Sequence, residues 1–143
     1  MSVSRTRLLR NLRRGRAQRT LAAVTAACAL PLGIEIWFEH YRGSFGDKWE
    51  WTPIVLSPAL AAAGVAGFFS ERAARTALPA LGALYALDGL AGSVLHARGV
   101  YRKPGGFHEP LFNIVMGPPL LAPGSLTLVG GLGVAAAFVR RER

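Results

Sequence analysis

The sequence predicts an all-α membrane protein, a four-helix transmembrane bundle made of two tandem helical hairpins. Three observations carry this. First, 51% of the residues are hydrophobic and mean hydropathy is positive. The apolar runs approach the roughly 20 residues that a spanning helix needs. Second, basic residues gather in alternate gaps between those runs. Third, a short phrase occurs twice, as His40-Tyr41-Arg42-Gly43 and His96-Ala97-Arg98-Gly99, each time after a long apolar run.

The charge pattern sets orientation. Arg5, Arg7, Arg10, Arg13, Arg14, Arg16 and Arg19 precede the first run. Arg72 and Arg75 lie between the second and third, and Arg140, Arg141 and Arg143 follow the fourth. With four spans these places share one side of the membrane. They hold 12 of the 17 basic residues, so that side is cytoplasmic by the positive-inside rule. The expected location is a bacterial inner membrane with both termini cytoplasmic. A net charge of +9 distributed this way argues against nucleic acid as a partner and for anionic lipid headgroups at the basic N-terminus. A membrane protein partner or a homo-oligomer is compatible with so small a chain.

The 143 residues read as one integral membrane domain, with a basic tail over 1–20, hairpin 1 over 21–70 and hairpin 2 over 77–139. The loops are too short to hold a separate soluble enzyme domain. The tail is expected to lie along the inner surface. Arg13-Arg14 lacks the residues that follow a twin-arginine signal, and Thr25-Ala26-Ala27-Cys28 has Thr where a lipoprotein site wants an aliphatic residue. The apolar run continues past Cys28, so the first span is expected to stay uncleaved. Cys28 is the one cysteine, which excludes an intrachain disulfide.

The first span is expected from about Leu21 to Phe38, with Pro31 and Gly33 able to bend it. Trp37, Tyr41, Trp49 and Trp51 form an aromatic belt at the outer interface. The second span is expected from about Thr52 to Phe69. Pro53 suits its first turn, and Pro58 predicts a break. A short inner loop, Ser70–Thr76, makes the second and third spans antiparallel neighbours. The third is expected from about Ala77 to Leu95, followed by an outer loop, Ala97–Pro110. The fourth, from about Leu111 to Val139, is interrupted by Pro118, Pro119 and Pro123. Broken backbone at membrane depth needs cover from protein or a cavity.

The repeat implies a pseudo-two-fold axis along the membrane normal. The histidine phrases are 56 residues apart. The phrases Ile54-Val55-Leu56-Ser57-Pro58 and Ile114-Val115-Met116-Gly117-Pro118 are 60 apart, which places Pro58 and Pro118 at a similar level. His40 and His96 then confront each other at the outer end, flanked by Arg42 and Arg98. Glu35 lies about 7–8 Å below His40 and Asp88 about 12 Å below His96, at the helical rise per residue. A carboxylate inside a span is costly and therefore a functional candidate. Asn113 stands at the mouth of the fourth span, and His108 falls on the same outer side.

Several chemistries suit this polar funnel. His40 and His96 could be axial ligands of a b-type haem, with Arg42 and Arg98 on its propionates. A transition metal could take His40 and His96 with Glu35 or Asp88. An anionic or quinone-like molecule could be held by Arg42, Arg98, Asn113 and freed backbone groups. An enzyme acting on a lipid or small molecule would use Asp88 or Glu35 as general base with His96 as partner. Against all of these stands a structural reading, with His and Arg in the headgroup layer and Arg-Gly ending a helix through a left-handed glycine.

The stretch His96-x-Arg98-Gly99, Lys103-Pro104-Gly105-Gly106, Asn113, Gly117-Pro118-Pro119, Ala122-Pro123 resembles uncharacterised small bacterial membrane proteins that share this phrasing. The resemblance covers the C-terminal third and implies no activity. It binds the outer loop and the break in the fourth span into one unit. No cytochrome b, transporter or rhomboid motif is present, nor any Gly-x-Ser-x-Gly, HExxH, CxxC or Walker pattern.

Overall fold

A computed structural model describes residues 16–141. The expectations for the tail arginines Arg5 to Arg14, and Arg143, lie outside the described residues. Among those described the chain is all-helical, with no strand. Helix α1 spans Arg16–Arg42 and α2 spans Trp51–Phe69, after a 3-10 turn at Lys48–Glu50. A short α3, Glu71–Arg75, leads into α4, Ala77–Tyr101. A 3-10 turn at Gly106–His108 precedes α5, Pro110–Val115. Helix α6 spans Ala122–Ala135 and ends in a 3-10 turn, Ala136–Phe138.

Three helical segments are long and apolar enough to cross a membrane, Arg16–Arg42, Lys48–Phe69 and Glu71–Tyr101. The apolar stretch Ala122–Phe138 is shorter; at 1.5 Å per residue it covers about 25 Å, less than the roughly 30 Å of hydrocarbon. Large apolar side chains face outward on every long helix, among them Ile34, Val65, Leu87 and Leu128. Such a surface is expensive in water and ordinary against lipid. The chain is consistent with a membrane protein on these grounds.

The helices pair as hairpins. α1 packs most extensively on α2 and α4 on α6, and the pairs join through α2–α4 and α1–α6. Small residues bring the backbones together. A Cβ on Gly33 would overlap Ser57 of α2, and one on Gly89 would overlap Pro123 and Thr127 of α6. These two glycines are 56 positions apart, as the histidines are, but their partners Ser57 and Thr127 are 70 apart rather than 60. The Ile-Val-x-x-Pro phrases therefore do not share a level. Ile114 and Val115 sit in α5, and the chain leaves helical geometry over 116–121 before α6 begins.

Pro58 does not break α2, which continues through it to Phe69. Loss of one donor leaves a single carbonyl orphaned, and packing against α1 and α4 holds the rest of the helix. Helix α4 also runs past the expected end near Leu95, so His96, Arg98 and Gly99 are helical. Gly43 is not left-handed; that conformation falls to Ser44 (φ 63°) and Phe45 (φ 46°). Non-glycine residues rarely take it. The Phe45 ring is held by stacking on Trp51, centroids 4.4 Å apart.

The end at Gln18 and Arg141 is closed by side chains on carbonyls at or beyond helix C-termini, groups that helices leave unsatisfied. Buried Gln18 donates through Nε2 to Ala136 O (2.9 Å) and Val139 O (3.2 Å). Arg141 donates to Gly67 O (2.9 Å) and Phe68 O (2.6 Å), and Arg75 to Ala137 O (3.0 Å).

A polar cluster at the histidine end

The last turn of α1 places His40 above the loop that returns to α2. His40 is half-buried, and its Nδ1 is buried without a hydrogen-bond partner among the described residues. Its ring lies 6.4 Å from Phe45. Glu50, the residue before α2, likewise buries Oε2 without a partner. Glu50 and His96 both lie within electrostatic reach of His40. One end of the molecule thus gathers two imidazoles and a carboxylate from three elements.

His96 is held differently. Its Nδ1 lies 2.9 Å from the carbonyl of Pro119, in the non-helical stretch between α5 and α6. A carbonyl only accepts, so Nδ1 carries the hydrogen and donates. In the neutral imidazole that leaves Nε2 as the lone-pair nitrogen. Pro118 packs beside Gly99 one turn along α4, so the stretch runs back along that helix.

Deeper between α2 and α4 lies a second polar set. Thr52 Oγ1 stands 2.5 Å from Asp88 Oδ1 and 2.8 Å from Trp49 O. Ser57 Oγ stands 2.9 Å from the Tyr85 hydroxyl and 2.6 Å from Pro53 O. Tyr85 and Ser57 are fully buried. Tyr85 precedes Asp88 by three residues, hence shares its helix face.

The other expected site residues go elsewhere. Glu35 is exposed on α1. Arg42 is exposed and paired with Glu39, and Arg98 is exposed. His108 is exposed in the loop. Buried Asn113 donates through Nδ2 to Pro104 O (2.9 Å) and Gly106 O (2.7 Å), so it fastens the loop before α5. Among the described residues no three His, Cys, Asp or Glu side chains gather to hold a metal ion. The set His40, His96 with Glu35 or Asp88 is therefore not assembled; Glu35 points outward and Asp88 bonds to Thr52. No histidine forms an ion pair with Asp88 among the described residues, where the enzymatic reading needed His96. In comparisons with family models, with curated proteins and with solved structures, nothing matches this chain.

Glu50 and Thr52 escaped the sequence reading. Their signal was position: both fall at the start of the second span, at the end where His40 was expected. Tyr85 and Ser57 gave none, since a lone Tyr and a lone Ser in apolar runs read as packing.

Proposed function

We propose that the chain is a small polytopic protein of the bacterial inner membrane that serves as a binding subunit, with its site at the outer, histidine end. In this reading it forms a four-helix bundle of two tandem hairpins with both termini cytoplasmic. The non-helical stretch over 116–121 completes the fourth crossing. Cover for that stretch comes from α4, whose His96 takes the Pro119 carbonyl. The shared offset of Gly33 and Gly89 supports a pseudo-two-fold relation of the first and third spans. The arginine-rich side meets anionic lipid headgroups in the cytoplasmic leaflet.

One observation carries the site: His40 Nδ1 and Glu50 Oε2 are buried without partners among the described residues, with His96 within electrostatic reach of His40. A buried polar atom left unpaired costs about 1–3 kcal/mol, and a ligand that bonds to it recovers that cost. Imidazole accepts or donates, and carboxylate accepts. The matching ligand is a small molecule bearing hydroxyl groups, such as a quinol at the membrane interface, the reduced form of the quinone-like molecule that the sequence suggested. Titrating a short-chain quinol into the bilayer-reconstituted protein, followed by tryptophan fluorescence, tests this. Saturable quenching that is lost in His40→Ala and in Glu50→Gln is expected; quenching equal in all three proteins would end the reading.

A haem-binding subunit is the second reading, favoured by the tie between His96 Nδ1 and Pro119 O. Imidazoles that ligate iron through one nitrogen commonly donate the other N–H to a carbonyl. Here His40 and His96 would be the axial pair. Protein purified after expression with haem supplied should show a haem absorption band that disappears in His96→Ala. A colourless wild-type preparation removes this reading and leaves the quinol titration unaffected.

A further inference from the structure

Thr52 makes more close oxygen contacts than its one hydroxyl hydrogen serves. Its Oγ1 lies 2.8 Å from the carbonyl oxygen of Trp49 and 2.5 Å from a carboxyl oxygen of Asp88. Both are hydrogen-bond distances, and Thr52 has one hydrogen to offer the two oxygens. The Trp49 carbonyl has none to give. With Thr52 donating to Trp49, the hydrogen in the shorter contact comes from Asp88. A contact of 2.5 Å suits a strong donor or a strong acceptor equally; the carbonyl on the other side of Thr52 decides between them. Were Asp88 ionised, the one Thr52 hydrogen would have to serve both oxygens or leave one contact bare.

Ser57 repeats the arrangement one turn deeper, with a phenol in place of the carboxyl. Its hydroxyl meets the Pro53 carbonyl at 2.6 Å and the Tyr85 hydroxyl at 2.9 Å. Ser57 donates to the carbonyl, and Tyr85 donates to Ser57. In both sets a group on α4 gives its hydrogen to a hydroxyl on α2, which passes its own to a backbone carbonyl, that of Trp49 in the turn before α2 or that of Pro53 within it. No Lys, Arg or His forms an ion pair with Asp88 among the described residues. Asp88 is half-buried on a helix long and apolar enough to span a membrane, where an ionised carboxylate without a cation is costly.

We propose that Asp88 is a proton-binding site: in the folded protein at neutral pH it is a carboxylic acid that donates to Thr52, below the His40, Glu50 and His96 cluster. Its ligand is the proton, and it stands independently of the quinol and haem readings. The sequence makes the test clean, because the chain has two aspartates, Asp47 and Asp88. Asp47 is exposed and accepts from the Trp49 N–H at 3.1 Å.

Full-length protein carrying carboxyl-labelled aspartate, reconstituted in bilayers at neutral pH, should give two carbon resonances. One is expected at the carboxylate position and one at the carboxylic-acid position. Asp47→Asn should remove the first and Asp88→Asn the second, and either variant alone suffices for the assignment. Infrared spectra of the unsubstituted protein give a second measurement. They should contain a carboxylic-acid C=O band that shifts in heavy water. Two carboxylate resonances with no carboxylic-acid band would overturn the proposal, whatever the outcome of the quinol and haem experiments.

Discussion

The two copies of His-x-Arg-Gly end up in opposite circumstances. In hairpin 1 the helix stops within the phrase, at Arg42, and His40 keeps a buried nitrogen with no partner among the described residues. In hairpin 2 the helix runs on to Tyr101, and His96 is engaged by the carbonyl of Pro119. The connection in hairpin 1 turns through two left-handed residues, Ser44 and Phe45, braced by an aromatic stack. The connection in hairpin 2 is longer, and Asn113 ties it to its own backbone at Pro104 and Gly106. An identical local phrase is a strut in one place and an available group in the other. What surrounds the side chain, rather than the phrase, sets its role.

The comparison can be broken most severely at the helix crossing of hairpin 2. Gly89→Leu should push α6 away from α4, since even a Cβ there overlaps backbone and side chain of α6. Overpacking costs about 1–3 kcal/mol and more where backbone is the obstacle, so loss of the folded protein from detergent extracts is expected. Asn113→Ala comes next. It leaves two carbonyls without their donor, at about 1–3 kcal/mol. Lower thermal stability and faster proteolysis between residues 102 and 121 should be seen, with hairpin 1 unaffected.

His96→Ala should cost about 1 kcal/mol by freeing the Pro119 carbonyl, whereas His40→Ala should leave thermal stability within about 0.5 kcal/mol. Equal losses in the two variants would erase the distinction between strut and available group. The smallest effect is expected at the tight turn of hairpin 1. Ser44→Gly removes a left-handed non-glycine residue and should stabilise by about 0.5 kcal/mol, most of the relief being offset by glycine's greater freedom when unfolded. A melting temperature unchanged or lowered would show that the turn carries no strain.

Much of this was legible before any coordinates. Length of apolar run, the place of Pro53 in a first turn and the alternation of arginines follow from local composition. The repeat also led to an expectation of imidazole and carboxyl groups at one end, but Glu50, Thr52, Ser57 and Tyr85 were not among the site residues it named. What misled was the assumption that a repeated phrase keeps its register. Pro58 and Pro118 have similar neighbours, yet α2 continues through the first and the chain is non-helical at the second. Pro118 is followed at once by Pro119, which removes a second donor and blocks the helix from closing over the gap. Arg42 and Arg98 were expected beside the histidines for a similar reason. At two residues' remove along a helix they point about 200° away, and both are exposed.

By itself the sequence determined which segments are helical and apolar, because the backbone must satisfy its own hydrogen bonds wherever water is scarce and apolar side chains must be plentiful there. Which polar groups meet was decided only in three dimensions. Thr52 reaches Asp88 across 36 positions and His96 reaches Pro119 across 23. Such pairs depend on the rotation and depth of one helix against the next. Those are set by where Gly33 and Gly89 let a neighbour approach, a property of the packed surfaces that no single stretch contains.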